Sequence, residues 1–144
     1  MSKACLPLLL KTETKTIINL SSVGGLIASL RASAYQISKT AVTRLTELMA
    51  ADHAAQGLIT FCVHPGNVMT DLVRSVEIDD AFKAVFTETP QLCANTLVYL
   101  TKERRAWLSG RYVNCTWDMP ELTSPELQRK IVESDLLKLM LKTP

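Results

Sequence analysis

The chain has 144 residues, of which 47% are hydrophobic and 21% are charged. This length suits one domain, and the composition excludes a chain that is disordered throughout. The formal net charge is only +2, and the lysines and arginines are scattered, so the charge gives no general attraction to nucleic acid or acidic lipid. We expect neither kind of partner.

The apolar runs and the cysteines both point to an intracellular protein. No apolar run approaches the roughly 20 residues that a membrane span needs, and the apolar stretch 6–10 is too short for a signal peptide. We therefore expect a cytoplasmic protein. The cysteines show no C-x-x-C spacing and no histidine at zinc-ligand spacing; they are Cys5, Cys62, Cys93 and Cys115. This pattern predicts buried, reduced thiols and no metal site. A reactive thiol or a disulfide is the alternative.

The first elements are a helix end and a strand. Residues 2–11 predict the last turns of a helix, interrupted by Pro7. Residues 16–20 are β-branched and apolar at both alternating sets of positions, which predicts a strand buried on both faces of a parallel sheet. Residues 21–33 are predicted to be a loop, with Gly24 and Gly25 as its flexible points.

A long helix and a second strand follow. Residues 34–56 carry apolar side chains at helical spacing, and Gly57 supplies a stop signal; the predicted apolar stripe is Ala34, Ala41, Val42, Leu45, Leu48 and Met49. Residues 58–63 predict a second buried strand, which ends at the turn His64-Pro65-Gly66.

The rest of the chain is predicted to contain a flap, two helices and one strand. Residues 71–89 mix charged residues with a weak apolar stripe, as in a mobile flap. Pro90 at a first helical position, after the capping residue Thr89, predicts a helix that includes Leu97 and Leu100. Residues 111–115 predict a third strand, and residues 124–140 a last helix.

The strand-helix alternation predicts an α/β fold with a parallel sheet and right-handed crossovers. About three strands are predicted, which makes a thin sheet, and residues 1–144 contain no internal repeat. We expect a single partial domain.

Three polar residues are candidates for chemistry. Tyr35 and Lys39 lie at positions i and i+4 of the long helix and so share one face, while Ser22 follows the first strand, at the sheet edge where α/β proteins bind ligands. A cation beside a tyrosine favours the phenolate, and a serine hydroxyl can donate to a substrate oxygen. A Tyr-x-x-x-Lys pair taken alone more often belongs to an ordinary solvated helix face than to a catalytic site.

The sequence around these residues is more specific. Residues 17–25 (IINLSSVGG), 34–42 (AYQISKTAV) and 64–71 (HPGNVMTD) closely resemble three ordered motifs of the short-chain dehydrogenase/reductase family. Residues 101–113 (TKERRAWLSGRYV) are similar to fungal members associated with secondary metabolism. The resemblance implies the C-terminal part of a Rossmann-like, doubly wound parallel sheet.

The resemblance also implies an activity, the transfer of a hydride between NAD(P) and a carbonyl/alcohol pair. Tyr35 would be the proton donor or acceptor, Lys39 would favour its phenolate and bind the nicotinamide ribose, and Ser22 would hold the substrate oxygen. Residues 71–89 match the family's variable substrate lid. The turn before the lid would line the nicotinamide, with cofactor contacts at Pro65, Gly66, Val68 and Thr70.

The family's nucleotide-binding half is not represented. No G-x-x-x-G-x-G occurs in these 144 residues, although such a turn brings backbone amides to the pyrophosphate. We expect a truncated oxidoreductase with compromised cofactor binding, and we favour NADP over NAD from the reductive habit of similar enzymes. The alternative is a non-catalytic remnant that associates with a full-length relative, or with a second copy, through the long helix.

Overall fold

The computed structural model describes residues 2–28 and 32–141. Its sheet has three parallel strands in the order β1 (Thr16–Leu20), β2 (Ile59–His64) and β3 (Arg111–Asn114). The described α-helices are α1 (Ser2–Leu9), α2 (Ser33–Asp52), α3 (Asp71–Arg74), α4 (Asp80–Lys83), α5 (Pro90–Thr101), α6 (Met119–Leu122) and α7 (Pro125–Glu133). The predicted α/β class with a thin parallel sheet is confirmed. Of the predicted loop 21–33, residues 29–31 lie outside the described residues.

The strands differ in burial because of their places in the sheet. The central strand β2 is buried at every residue, since it has a strand on each side and a helix layer over each face. The edge strand β1 is only half-buried, and Leu20 at its end is 48% exposed. The prediction that residues 16–20 are buried on both faces is therefore wrong for this chain.

The helix α2 ends close to its predicted position, but the face that it buries differs in part from the predicted one. Its last residue is Asp52, a 3-10 turn follows, and Gly57 adopts a left-handed conformation with φ of 76°. Leu45 and Leu48 of the predicted stripe are 46% and 52% exposed, whereas the residues packed against the sheet are Thr43, Thr46 and Met49. The predicted apolar stripe is therefore wrong at Leu45 and Leu48, whereas its last residue, Met49, is buried as predicted.

The polar contact between α2 and the sheet has a specific cause. The sheet face below α2 carries polar side chains, and Asn19 Nδ2 donates to Thr46 Oγ1 over 2.9 Å. The hydroxyl of Thr60 donates to the Thr46 carbonyl, also over 2.9 Å. Buried hydroxyls with such partners avoid the cost of unpaired polar groups, so threonines occupy the face where the periodicity predicted leucines.

The hydrophobic core lies on the opposite face of the sheet. Phe61, Val63 and Val113 point into it and meet Leu100 of α5 and Ile131 of α7. Each such side chain contributes about 1.5–3 kcal/mol by leaving water. The helix α5 begins at Pro90 as predicted, although the side chain of Thr89 makes no capping hydrogen bond.

The last helix is shorter than the predicted 124–140, because α7 ends at Glu133. Asp135 and Leu137 have φ values of 46° and 65°, which turn the chain back toward the sheet. There the Leu137 carbonyl accepts a hydrogen bond from the Tyr112 amide over 2.8 Å, and Arg111 pairs with Asp135 over 3.0 Å. The segment after α7 thus covers the outer edge of β3.

Three of the four cysteines are buried and all four are unpaired thiols, but Cys5 is exposed. The predicted burial is confirmed for Cys62, Cys93 and Cys115 and wrong for Cys5. Among residues 2–28 and 32–141, no helix is both long and apolar enough to span a membrane.

Candidate active site

The candidate site lies at the carboxyl edge of the sheet. The strands β1 and β2 end beside each other there, and the amide of Ser21, just past β1, donates to the Val63 carbonyl of β2 over 2.8 Å. The predicted site residue Pro65 follows β2 directly, and Ser22 follows β1 after the single residue Ser21. Such an edge is where the ligands of parallel α/β sheets bind.

Ser22 is held by the turn that it starts. It is 9% exposed, has extended backbone angles, and caps the 3-10 turn Val23–Gly25 by accepting a hydrogen bond from the Gly24 amide over 3.1 Å. A serine hydroxyl has one donor and two acceptor positions. The capping bond uses an acceptor position, so the donor can still serve a bound oxygen.

Tyr35 approaches Ser22 across Gly24. Tyr35 Cε1 and Ser22 Oγ lie 3.3 Å and 3.4 Å from the point where a Cβ on Gly24 would stand. The glycine therefore leaves the space in which the tyrosine ring comes close to the serine hydroxyl. Tyr35 is 40% exposed, so its ring is open to a ligand at this edge.

Lys39 completes the group. Its Nζ lies 5.6 Å from the centroid of the Tyr35 ring and donates to the Leu20 carbonyl at the end of β1 over 3.1 Å. An ammonium group near an aromatic ring is electrostatically favourable, and the carbonyl fixes where the charge lies. The structure thus brings together the three residues that were predicted as catalytic.

The helix turn that carries Lys39 is fixed from the strand side. Ser21 Oγ donates to the Lys39 carbonyl over 2.9 Å, and Thr40 Oγ1 donates to the Gly25 carbonyl over 2.6 Å. A Cβ on Gly25 would stand only 2.8 Å from the Lys39 carbonyl carbon. Ser21 was not predicted as a site residue, although its position beside Ser22 in the quoted motif was the available signal.

The turn after β2 holds the remaining predicted residues. Gly66 has φ of 86°, a conformation that favours glycine. The Val68 carbonyl accepts from the Thr70 amide over 2.8 Å, and Thr70 Oγ1 accepts from the Val73 amide over 3.4 Å as the cap of α3. The Thr70 hydroxyl hydrogen stays available for another acceptor.

Residues 71–89 form two short helices, α3 and α4, on the outside of the molecule. Each begins with a side-chain cap, from Thr70 and Asp79, respectively. Four of their large apolar side chains are at least 44% exposed, whereas Val73, Ile78 and Phe86 are half-buried; the exposed ones are Leu72, Val76, Phe82 and Val85. These four side chains are open to solvent or to a ligand, and the mobile flap stays a prediction.

His64, at the end of β2, is buried and its Nδ1 has no hydrogen-bond partner among the described residues. Burial lowers the pKa of His64, and the negative charge of Glu88 acts in the opposite direction. A neutral imidazole is therefore favoured in the folded chain.

The fit of a nicotinamide cofactor can be judged from these groups. Hydroxyl, phenol and ammonium groups converge at Ser22, Tyr35 and Lys39, and the glycine turn at Gly66 lies at the same sheet edge. These residues suit the nicotinamide ribose end of the cofactor. No G-x-x-x-G-x-G is present for the pyrophosphate, so the fit covers one end of the molecule only.

Comparisons of sequence identify relatives. A family model described as short chain dehydrogenase matches residues 1–81. The chain is 45% identical over 139 residues to the short chain dehydrogenase pigC of the fungus Monascus ruber, and the match covers 96% of this chain and 45% of that protein. The chain therefore spans about half the length of the curated relatives that it matches. The predicted similarity to fungal members is confirmed.

Solved structures give the same result for the fold. An NADPH-bound carbonyl reductase from chicken fatty liver has a TM-score of 0.64 and 25% identity, with 79% of this chain and 48% of that chain covered. A 7α-hydroxysteroid dehydrogenase complexed with NADH and an oxo bile acid has a TM-score of 0.67 and 21% identity, with 78% and 47% covered. These likenesses confirm the predicted partial Rossmann-like sheet.

Proposed function

The chain belongs to the short-chain dehydrogenase family, and on this premise we propose that it carries the acid/base half of an oxidoreductase that interconverts a carbonyl and an alcohol. The observation that supports the proposal most directly is the approach of Ser22, Tyr35 and Lys39 to one another at the carboxyl edge of the sheet. A nicotinamide cofactor, when bound, would supply or accept the hydride.

The residues of this chain would handle the proton and the substrate oxygen. The Ser22 hydroxyl, whose donor is not used in its capping bond, would hold the carbonyl oxygen. Tyr35 would donate its phenolic proton to that oxygen as the alcohol forms, or accept a proton in the reverse direction. The Lys39 ammonium group, held by the Leu20 carbonyl, would stabilise the phenolate left behind and bind the nicotinamide ribose.

The turn and the lid complete the proposed site. Pro65 and Gly66 would bring backbone groups to the nicotinamide, and Val68 and Thr70 would contact its carboxamide or a phosphate. Residues 71–89 would close over the substrate, and their exposed apolar side chains favour a largely apolar substrate. Similarity to a Monascus ruber protein supports a place in secondary metabolism, and the NADPH-bound carbonyl reductase supports NADP as the cofactor.

We propose that activity requires a glycine-rich, nucleotide-binding half, which these 144 residues do not include. The test is calorimetric titration of NADPH into the purified chain, alone and mixed with the nucleotide-binding half of the Monascus ruber relative. We expect no sub-millimolar binding by the chain alone and clear binding by the complex. Sub-millimolar binding by the chain alone would contradict the requirement.

The same complex tests the reaction. With a panel of apolar ketones and aldehydes, we expect oxidation of NADPH by the complex and a loss of at least about 100-fold with Ser22→Ala. Ser134→Ala, in an exposed serine after α7, is the matched control and should leave the rate unchanged. Equal rates for Ser22→Ala and the unchanged complex would remove Ser22 from the mechanism.

A second function, association without catalysis, is favoured by one observation. Ile37, Leu45 and Leu48 of α2 are 69%, 46% and 52% exposed, and exposed apolar side chains on one helix are typical of an interface. In this alternative α2 would pair with a full-length relative or with a second copy. If α2 is the interface, light scattering would show a smaller assembly for the Leu45→Glu variant than for the parent chain. In this alternative, neither the parent chain nor the variant would oxidise NADPH.

A further inference from the structure

Glu88 lies where the lid joins α5, and it contacts the proposed nicotinamide turn in two ways. Its side-chain Oε2 accepts a hydrogen bond from the Asn67 amide over 2.8 Å. Its own amide donates to the Asn67 carbonyl over 3.2 Å, as part of a parallel bridge between Val68 and Glu88. Both backbone groups of Asn67 are therefore bonded to one residue from the far end of the lid.

The contact also shapes the turn by packing. A Cβ on Gly66 would stand 3.1 Å from Glu88 Cβ and 3.2 Å from Cys115 Sγ. Gly66 is therefore in close contact with Glu88 and has the positive φ that glycine adopts most easily. The turn is therefore packed against Glu88 and against Cys115, the residue that follows β3.

The hydrogen bond from the Asn67 amide to the Glu88 carboxylate is a strong one. A carboxylate that accepts from a backbone N–H makes a charge-assisted hydrogen bond, which is stronger than one between neutral groups. Glu88 is only partly exposed, so solvent competes less for its carboxylate. No other described side chain accepts a hydrogen bond from the Asn67 amide.

We propose that Glu88 is a positioning residue that fixes the turn at 65–68 and couples it to the lid. The cofactor part of this inference rests on the proposed function, because that function assigns the turn to the nicotinamide. When the lid changes position at residues 71–87, its C-terminal end at Glu88 transmits the change to Asn67, one residue from Val68. Glu88 acts through the backbone of the turn and does not take part in proton transfer.

The first test needs only the chain itself. Amide hydrogen exchange at Asn67 should accelerate about tenfold or more in Glu88→Ala, because the side-chain acceptor is lost. Glu88→Gln keeps an acceptor oxygen of the same reach and should restore most of the protection. Glu126→Ala, in an exposed glutamate of α7, is the matched control. Unchanged exchange at Asn67 in Glu88→Ala would overturn the proposal.

The second test separates positioning from a purely structural role. In the complex with the nucleotide-binding half, Glu88→Ala should raise KM for NADPH severalfold and change kcat less, with Glu88→Gln close to the parent. An unchanged KM with faster Asn67 exchange would refute the coupling to the cofactor. A parent complex without any turnover would overturn the proposed function and the cofactor role of Glu88 together, while the exchange measurement would still decide whether Glu88 fixes the turn.

Discussion

The packing of Gly25 against α2 gives the sharpest prediction from the geometry. In Gly25→Ala the added Cβ would stand 2.8 Å from the Lys39 carbonyl carbon and 2.9 Å from the Thr40 amide nitrogen. Both atoms belong to the helix backbone, which cannot swing aside as a side chain does. The turn after β1 and the helix must therefore move apart.

The size of the effect follows from the same contact. Overpacking of a well-packed site costs about 1–3 kcal/mol, and separation of the two elements also weakens the 2.6 Å bond from Thr40 Oγ1 to the Gly25 carbonyl. A loss of 1 kcal/mol lowers the melting temperature of a chain of this size by roughly 2–4 °C. Urea unfolding followed by tryptophan fluorescence measures the loss of free energy.

Gly24→Ala is the matched comparison. Its Cβ would meet Tyr35 Cε1 at 3.3 Å, and the half-exposed ring can shift, so we expect a stability change within about 0.5 kcal/mol. The shifted ring would instead reduce turnover of the complex, because the new methyl group stands between Tyr35 and Ser22. A Gly25→Ala chain as stable as the parent would refute the inferred contact between the turn and α2.

Three further outcomes are expected. Ser21→Ala removes the donor to the Lys39 carbonyl and should lower the unfolding free energy by about 0.5–1.5 kcal/mol; an unchanged urea midpoint would contradict this role. Burial lowers the pKa of His64 below its ordinary 6.5. As the pH drops through about 6.5, the imidazole therefore becomes protonated in the unfolded chain before it does so in the folded chain, and the free energy of unfolding falls. In His64→Asn this part of the pH dependence should be absent, and an unchanged slope of urea midpoint against pH would refute the assignment. A thiol reagent should label Cys5 alone in the folded chain and all four cysteines after unfolding; labelling of a second thiol without unfolding would contradict the burial of the other three.

The sequence predicts the frame of the fold well because its signals are local. Residues 16–20 and 58–63 combine β-branched and apolar side chains between turn residues, and Gly57 has the positive φ expected of a helix stop. The three catalytic candidates were predicted in two steps. Helix geometry places Tyr35 and Lys39 on one face, and the strand end places Ser22 at the edge of the sheet. The family resemblance then assigned a catalytic role to each of them.

The differences arise where a partner distant in sequence decides the outcome. Thr43 and Thr46 are buried instead of Leu45 because the sheet face below α2 is polar, which no periodicity within the helix reveals. The last helix stops at Glu133 because the following residues pair with β3. Glu88 was missed because its role depends on the contact with Asn67, 21 residues away.

The most direct test of the proposed function is turnover of the complex with Tyr35→Phe. This substitution removes only the phenolic oxygen, and general acid/base groups typically contribute a factor of about 10²–10⁴. Tyr99→Phe, which removes a hydroxyl bonded to Thr123 over 2.8 Å, is the matched control at a structural position. We predict that Tyr35→Phe lowers the rate of NADPH oxidation by at least about 100-fold while Tyr99→Phe keeps it. Full activity in Tyr35→Phe would contradict the account.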